Sequence, residues 1–232
     1  LPLNGAAITL VVAVFGTTIS PYLFFWQSSG EVEDQQGNQS GSLLEHPEQA
    51  PAELGRIRLD TLVGMAFSNL IAFFIILTTA VTLHANGFTN IQTSADAALA
   101  LKPIAGRFAF VLFSLGVIGT GLLAVPVLAG SAAYAFGEAR GWKTGLEQKP
   151  RKAVGFYSAI GLATLIGLAI HFAPIDPIKA LFWSAILNGV VAVPIMAATM
   201  VVASRRQEMG AFIASSWQRV FGWLATVIMA TA

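Results

Sequence analysis

No cysteine occurs in the 232 residues, which excludes disulfides and thiolate metal centres and leaves the redox compartment undetermined. Charge is scarce too. Asp, Glu, Lys and Arg make up 11% of the chain, against about 25% in a soluble domain, while hydrophobic residues make up 55%. The formal net charge is only +1 and the basic residues scatter over polar stretches, so no nucleic-acid partner is expected. His84 and His171 lie on separate segments and form no metal cluster. There is no Gly-rich phosphate loop, nucleophile elbow or zinc-binding helix motif, so catalysis has no foothold and no enzyme cofactor is expected. No basic stretch precedes the first apolar run, which argues against a cleavable signal peptide. The strict alternation of a transmembrane barrel strand is missing as well.

What the chain does have is long apolar segments, which places it in a lipid bilayer as a multi-pass, all-α protein of a single membrane domain, 1–232. The segments run over 5–27, 60–84, 108–137, 153–172, 178–204 and 217–232, the last cut short. Each complete one is near the length a helix needs to cross about 30 Å of hydrocarbon. Between the first two, 28–58 is polar, with the low-complexity core Gln35-Gln36-Gly37-Asn38-Gln39-Ser40-Gly41-Ser42. That composition predicts a flexible loop. Ser94 is placed to cap a short helix before the third segment. Asp60, Asp96 and Asp176 fall near segment ends as solvated or capping residues. If loops alternate sides, ten basic residues (Arg56, Arg58, Arg140, Lys143, Lys149, Arg151, Lys152, Arg205, Arg206, Arg219) share one side, and Lys102, Arg107 and Lys179 the other. The richer side, 28–58 included, is assigned to the cytoplasm, as for a bacterial-type inner or plasma membrane.

The first segment is broken near its centre. Gly16 weakens a helix, and Pro21 lacks an N–H and clashes with the carbonyl of Thr17. Backbone groups freed in hydrocarbon persist only where protein or a water-lined cavity satisfies them. A mid-membrane break that carries hydroxyls points to an ion or substrate site in a transporter.

The stretch Thr17-Thr18-Ile19-Ser20-Pro21-Tyr22 resembles the break in the sixth span of the natural resistance-associated macrophage protein (Nramp) family of divalent-metal transporters, where the pattern is Ala-Thr-Val-Met-Pro-His. Gly64-Met65-Ala66-Phe67-Ser68-Asn69 resembles its seventh span. The run from Gly119 to Gly130 resembles its eighth, and the run from Leu187 to Pro194 its tenth. The resemblance implies a leucine-transporter-type fold of two inverted repeats. This chain would be the second repeat half with a discontinuous first helix, an internal piece covering spans six to about eleven. It lacks an initiator Met and stops within an apolar run, and the N-terminal half of the same transporter would be its partner.

The departures from the family are informative. Its metal-binding Met falls on Ser20 and its His on Tyr22. A hydroxyl suits hard ions or held water, whereas a thioether suits softer metals. The resemblance is therefore closest to the Nramp-related magnesium transporter branch, with Mg²⁺ or Mn²⁺ as the transported ion. Loss of the His puts proton coupling in doubt.

On this reading the metal is served by the Thr17 carbonyl, Ser20, Asn188 and Asn69, while Gly16, Pro21 and Tyr22 line or gate the cavity. Each has a plainer alternative. The Thr17 hydroxyl would bond a carbonyl in its own helix, Ser20 would only line the cavity, and either Asn would be interhelical glue. Gly116, Gly119 and Gly121 serve close helix packing. No acidic residue lies inside an apolar segment, and in the family that charge comes from an Asp-Pro-Gly-Asn motif on the first span. The piece alone should therefore transport nothing. Two other functions fit the same segments: a different solute symporter of this fold, for amino acids or sodium, and a non-transporting membrane subunit.

Overall fold

The computed structural model describes residues 5–37, 43–84, 87, 91 and 93–231. The described residues are helical, with short 3₁₀ turns and no strand among them. The helices are α1 (Gly5–Ile19), α2 (Tyr22–Gly37), α3 (Ala50–Thr82), α4 (Ser94–Ala98), α5 (Lys102–Ala105), α6 (Ala109–Ala139), α7 (Val154–His171), α8 (Pro177–Ser204), α9 (Arg206–Met209) and α10 (Ser216–Thr231). Among the described residues, four stretches are long and apolar enough to cross a membrane: Ile8–Gly37, Ala50–Thr82, Gly106–Ala139 and Pro177–Ser204. Val154–Ile170 is a shorter apolar helix. On α3, large side chains such as Phe67, Ile71, Phe74 and Ile75 are all exposed. A face of that size would be a liability in water and is suited to lipid.

The chain divides into two compact units, residues 1–50 with 181–232, and residues 51–180. The second unit is centred on α6 and α7. Tyr134 and Phe156 are buried ring against ring, with centroids 4.8 Å apart, beside Ala133 and Ser131. The Ser131 hydroxyl donates to the Val127 carbonyl at 2.6 Å, so its polar atom does not stand unpaired. In the first unit, Met200 of α8 seats on Gly222 of α10, where a Cβ would lie 2.7 Å from the Met200 methyl carbon.

Three expectations need revision. The polar segment 28–58 is not loop throughout. α2 continues to Gly37 and α3 begins at Ala50. Glu31, Glu33, Gln35 and Gln36 are good helix formers, and local propensity outweighs their low hydrophobicity. The remainder of the low-complexity core, 38–42, lies outside the described residues. Second, α3 has 33 residues, about 50 Å at 1.5 Å per residue, so it starts ahead of the apolar run at 60. Its polar first turns carry Arg56, which pairs with Glu53 at 3.1 Å and with Asp60 at 3.9 Å. Third, the cap of α4 is Thr93, not Ser94. Its hydroxyl accepts from Asp96 N while the Asp96 carboxylate accepts from Thr93 N, a reciprocal capping box.

Asp176 does cap. Its carboxylate accepts from Ile178 N at 2.9 Å and Lys179 N at 3.3 Å, ahead of Pro177 at the start of α8. Between α2 and α3, a backbone N–H and then His46 hold the exposed Glu48 carboxyl below its ordinary value.

Candidate functional site

The first span is interrupted at Ser20 and Pro21, between α1 and α2. Pro21 offers no N–H to the Thr17 carbonyl, which would be its acceptor in a continuous helix. The Ser20 hydroxyl takes that place and donates to Thr17 O at 2.7 Å. Ser20 N still donates to Gly16 O at 3.2 Å and closes α1. Leu23 N then turns to Ser20 O at 2.9 Å and Phe24 N to Pro21 O at 3.2 Å, each three residues back. The one carbonyl that Pro21 deprives of its backbone donor is thus that of Thr17, and a side chain serves it instead.

Ser20 itself is buried at 9% exposure and has φ +44°, and among the described residues it is the one non-glycine with positive φ. The left-handed region costs an L residue about 1–2 kcal/mol. Strain of this kind persists only where the surroundings fix it, and it collects at functional sites. Here the surroundings are the buried Pro21 and the bond to Thr17. The hydroxyls of Thr17 and Thr18 donate back to Ala13 O and Val14 O, both at 2.9 Å. The plain reading of the Thr17 hydroxyl is therefore the observed one, and a ligand role for that residue rests on its carbonyl alone.

These bonds give a first prediction. In the full-length protein, Ser20→Ala keeps the strained backbone but leaves the part-buried Thr17 carbonyl without its donor, at a cost of about 1 kcal/mol. Ser20→Gly loses the same donor but removes the φ penalty and should be about 1 kcal/mol less harmful. Thermal unfolding of the two variants in detergent checks the order. Equal melting temperatures would show that the Ser20 backbone is not strained.

Gly16 explains what α1 packs against. A Cβ there would fall on the Ala185 carbonyl oxygen and 2.5 Å from Gly189 N, both backbone atoms of α8. The close approach is mutual, since a Cβ on Gly189 would lie 2.9 Å from Val12 Cγ1 and 3.0 Å from Val12 O. Two glycines thus let α1 and α8 cross backbone to backbone, as small residues do in membrane helices. The half-buried Asn188 is next to Gly189, one helical turn of α1 away from the break.

The structure brings Gly16, Thr17, Ser20 and Pro21 together with Asn188 in one unit, with Tyr22 half-buried as the first residue of α2. Asn69 belongs to the other unit and stands exposed on α3. The sequence reading missed Gly189, Ala185 and Met229, whose methyl carbon lies 3.3 Å from where a Gly189 Cβ would be. The only local signal for Gly189 is a small residue following Asn188 in an apolar run. No group of three or more His, Cys, Asp or Glu side chains suited to a metal occurs among the described residues.

Apolar spans, one of them interrupted by a strained Ser-Pro pair, define a multi-pass integral membrane protein. The chain belongs to the natural resistance-associated macrophage protein-like family, whose sequence profile matches residues 1–232. It is similar to the divalent metal cation transporter MntH of Klebsiella pneumoniae (strain 342), at 22% identity over 228 residues, 97% of this chain and 50% of the relative. MntH of Yersinia pestis (strain Pestoides F) is 26% identical over 124 residues, 53% of this chain and 28% of the relative. The chain spans about half the length of the first of these relatives.

Proposed function

We propose that the protein containing this chain moves divalent metal cations across the membrane by alternating access around the break at Thr17 to Pro21, with Mg²⁺ and Mn²⁺ as substrates. The reading extends to a leucine-transporter-type architecture in which this chain supplies the second inverted repeat. The observation that carries it is the donor set at the break. The Ser20 proton is spent on the Thr17 carbonyl, which leaves lone pairs on the hydroxyl oxygen and, since Pro21 has no N–H to give, a second lone pair on the carbonyl. Every such donor is a neutral oxygen, with neither sulfur nor imidazole, and oxygen donors favour hard cations. Asn188 adds an amide oxygen near the same crossing. Negative charge to offset dehydration of a divalent ion comes from a carboxylate outside this chain.

Calorimetric titration of the full-length protein with Mg²⁺ and Mn²⁺ tests the site. Both ions should bind, and Asn188→Ala should weaken binding by roughly tenfold, the range for a lost contact to a charged group. Failure of the folded wild-type protein to bind either ion would contradict the assignment.

The orientation is a further part of the proposal. The segment 140–153 carries Arg140, Lys143, Lys149, Arg151 and Lys152 and is assigned to the cytoplasmic side. Thr144 is a poor place for a probe, since its side chain is wedged against Gly137. Glu147 is exposed. A cysteine at 147 in the full-length protein is expected to resist an impermeant thiol reagent applied to intact cells and to react after the cells are opened. Labelling in intact cells would reverse the orientation.

A further inference from the structure

The connection between α6 and α7 is built rather than slack. Trp142 N donates to Gly137 O at 2.8 Å and Lys152 N to Lys149 O at 2.7 Å. Gly141 and Gly145 turn the chain at φ +65° and +132°, a region open to glycine at no steric cost. The Trp142 ring lies over Gly155, where a Cβ would come within 2.6 Å of it. The Tyr157 hydroxyl reaches back to the carbonyls of Leu146 at 3.1 Å and Gln148 at 2.9 Å. Beneath it the neighbouring Phe156 is fully buried on Tyr134.

This fixed ledge is strongly basic, with Glu147 its one acid against five cations. Arg140, Lys143, Lys149, Arg151 and Lys152 are all exposed, and among the described residues none has an ion-pair partner. The ledge sits at the ends of two apolar helices, which places it at the level of the headgroups. Trp142 is 42% exposed, an amphipathic ring of the kind that settles at that level. Five unpaired cations on an ordered connection exceed what orientation alone requires, because a slack loop of the same charge would set topology equally well.

We infer that the 140–153 ledge is a preformed site for anionic phospholipid headgroups, in which the basic side chains receive the lipid phosphates and Trp142 anchors the interface. The ordered backbone matters because a site fixed in advance loses less conformational freedom on binding. The occupant is bilayer lipid rather than an acidic protein, since the cations stand beside membrane-spanning helices and share that level with an interfacial tryptophan.

The test uses the full-length protein purified in detergent and exposed to phosphatidylglycerol and phosphatidylcholine, with retained lipids counted by native mass spectrometry. Wild type should retain phosphatidylglycerol preferentially and lose that preference at about 1 M salt, where screening acts within about 3 Å. Each basic residue near an anionic surface contributes roughly fivefold, so Lys149→Gln/Arg151→Gln/Lys152→Gln should weaken phosphatidylglycerol binding about 100-fold. Tyr157→Phe leaves the charge unchanged but frees the ledge, and should weaken the preference several-fold. Glu147→Gln removes an exposed carboxylate from the ledge and should strengthen it, which keeps a test available if the triple variant does not fold. Equal phosphatidylglycerol retention by wild type and triple variant, or an unchanged preference in both single variants, would overturn the proposal. So would preferential capture of a polyglutamate peptide by a wild type indifferent to phosphatidylglycerol.

Discussion

Gly16→Ala, a change of one methyl group, is expected to be among the most damaging single substitutions in the chain. Alanine is ordinarily the better helix residue, by roughly 0.5–1 kcal/mol. At Gly16 the added carbon would meet the Ala185 carbonyl oxygen and Gly189 N of α8. Both are backbone atoms, so no side chain can rotate aside and the helices themselves must separate. Overpacking of a close contact commonly costs about 1–3 kcal/mol, and a backbone clash belongs at or above the top of that range. Gly55→Ala is the control, since nothing lies within 4 Å of a Cβ there and Gly55 is exposed on α3. In the full-length protein the first variant should lower the melting temperature and the folded yield, while the second should leave both unchanged or slightly raised. Equal behaviour of the two would show that α1 and α8 do not cross at Gly16 and Gly189.

Ser20→Met is the second large effect and concerns selectivity. It replaces a hydroxyl oxygen by a thioether at the break, and a soft ligand favours softer metals. It also removes the Ser20 donor to Thr17 and adds bulk at a buried position, where Mg²⁺ would keep bound water. In proteoliposomes of the full-length protein, competition for uptake should therefore shift from Mg²⁺ toward Mn²⁺ and Cd²⁺, by roughly tenfold or more for one exchanged ligand. A melting curve must accompany the assay, because methionine at φ +44° carries the same backbone penalty as serine. A folded variant with unchanged ion preference would remove Ser20 from the ion's surroundings.

The break was legible because its causes are local. Proline lacks an N–H wherever it stands, and Gly16 lies one turn before Ser20 in the same run. What Ser20 does with its hydroxyl, and that its φ is positive, depend on how the chain leaves α1, which no spacing encodes. The partner of Gly16 was not legible either, because Gly189 is remote in sequence and becomes its neighbour only when α1 and α8 pack. The polar stretch after the first span misled in the other direction. Its composition reads as loop, yet Glu31, Glu33, Gln35 and Gln36 extend α2 to Gly37, because propensity acts locally while hydrophobicity reports burial. The cap of α4 shifted by one residue, from Ser94 to Thr93, for a similar reason. Both residues can cap, and the choice falls to the one spaced three residues before Asp96. Asn69 was chosen on resemblance, and an exposed asparagine on α3 gives that choice no local support.

The central claim is transport of a hard divalent cation, and uptake by the wild-type full-length protein in proteoliposomes tests it most directly. Mg²⁺ and Mn²⁺ should each accumulate and each compete with the other, while sodium and amino acids should neither accumulate nor compete. Uptake of an amino acid or sodium without divalent uptake, or no uptake of any solute by protein shown to be folded, would contradict the account.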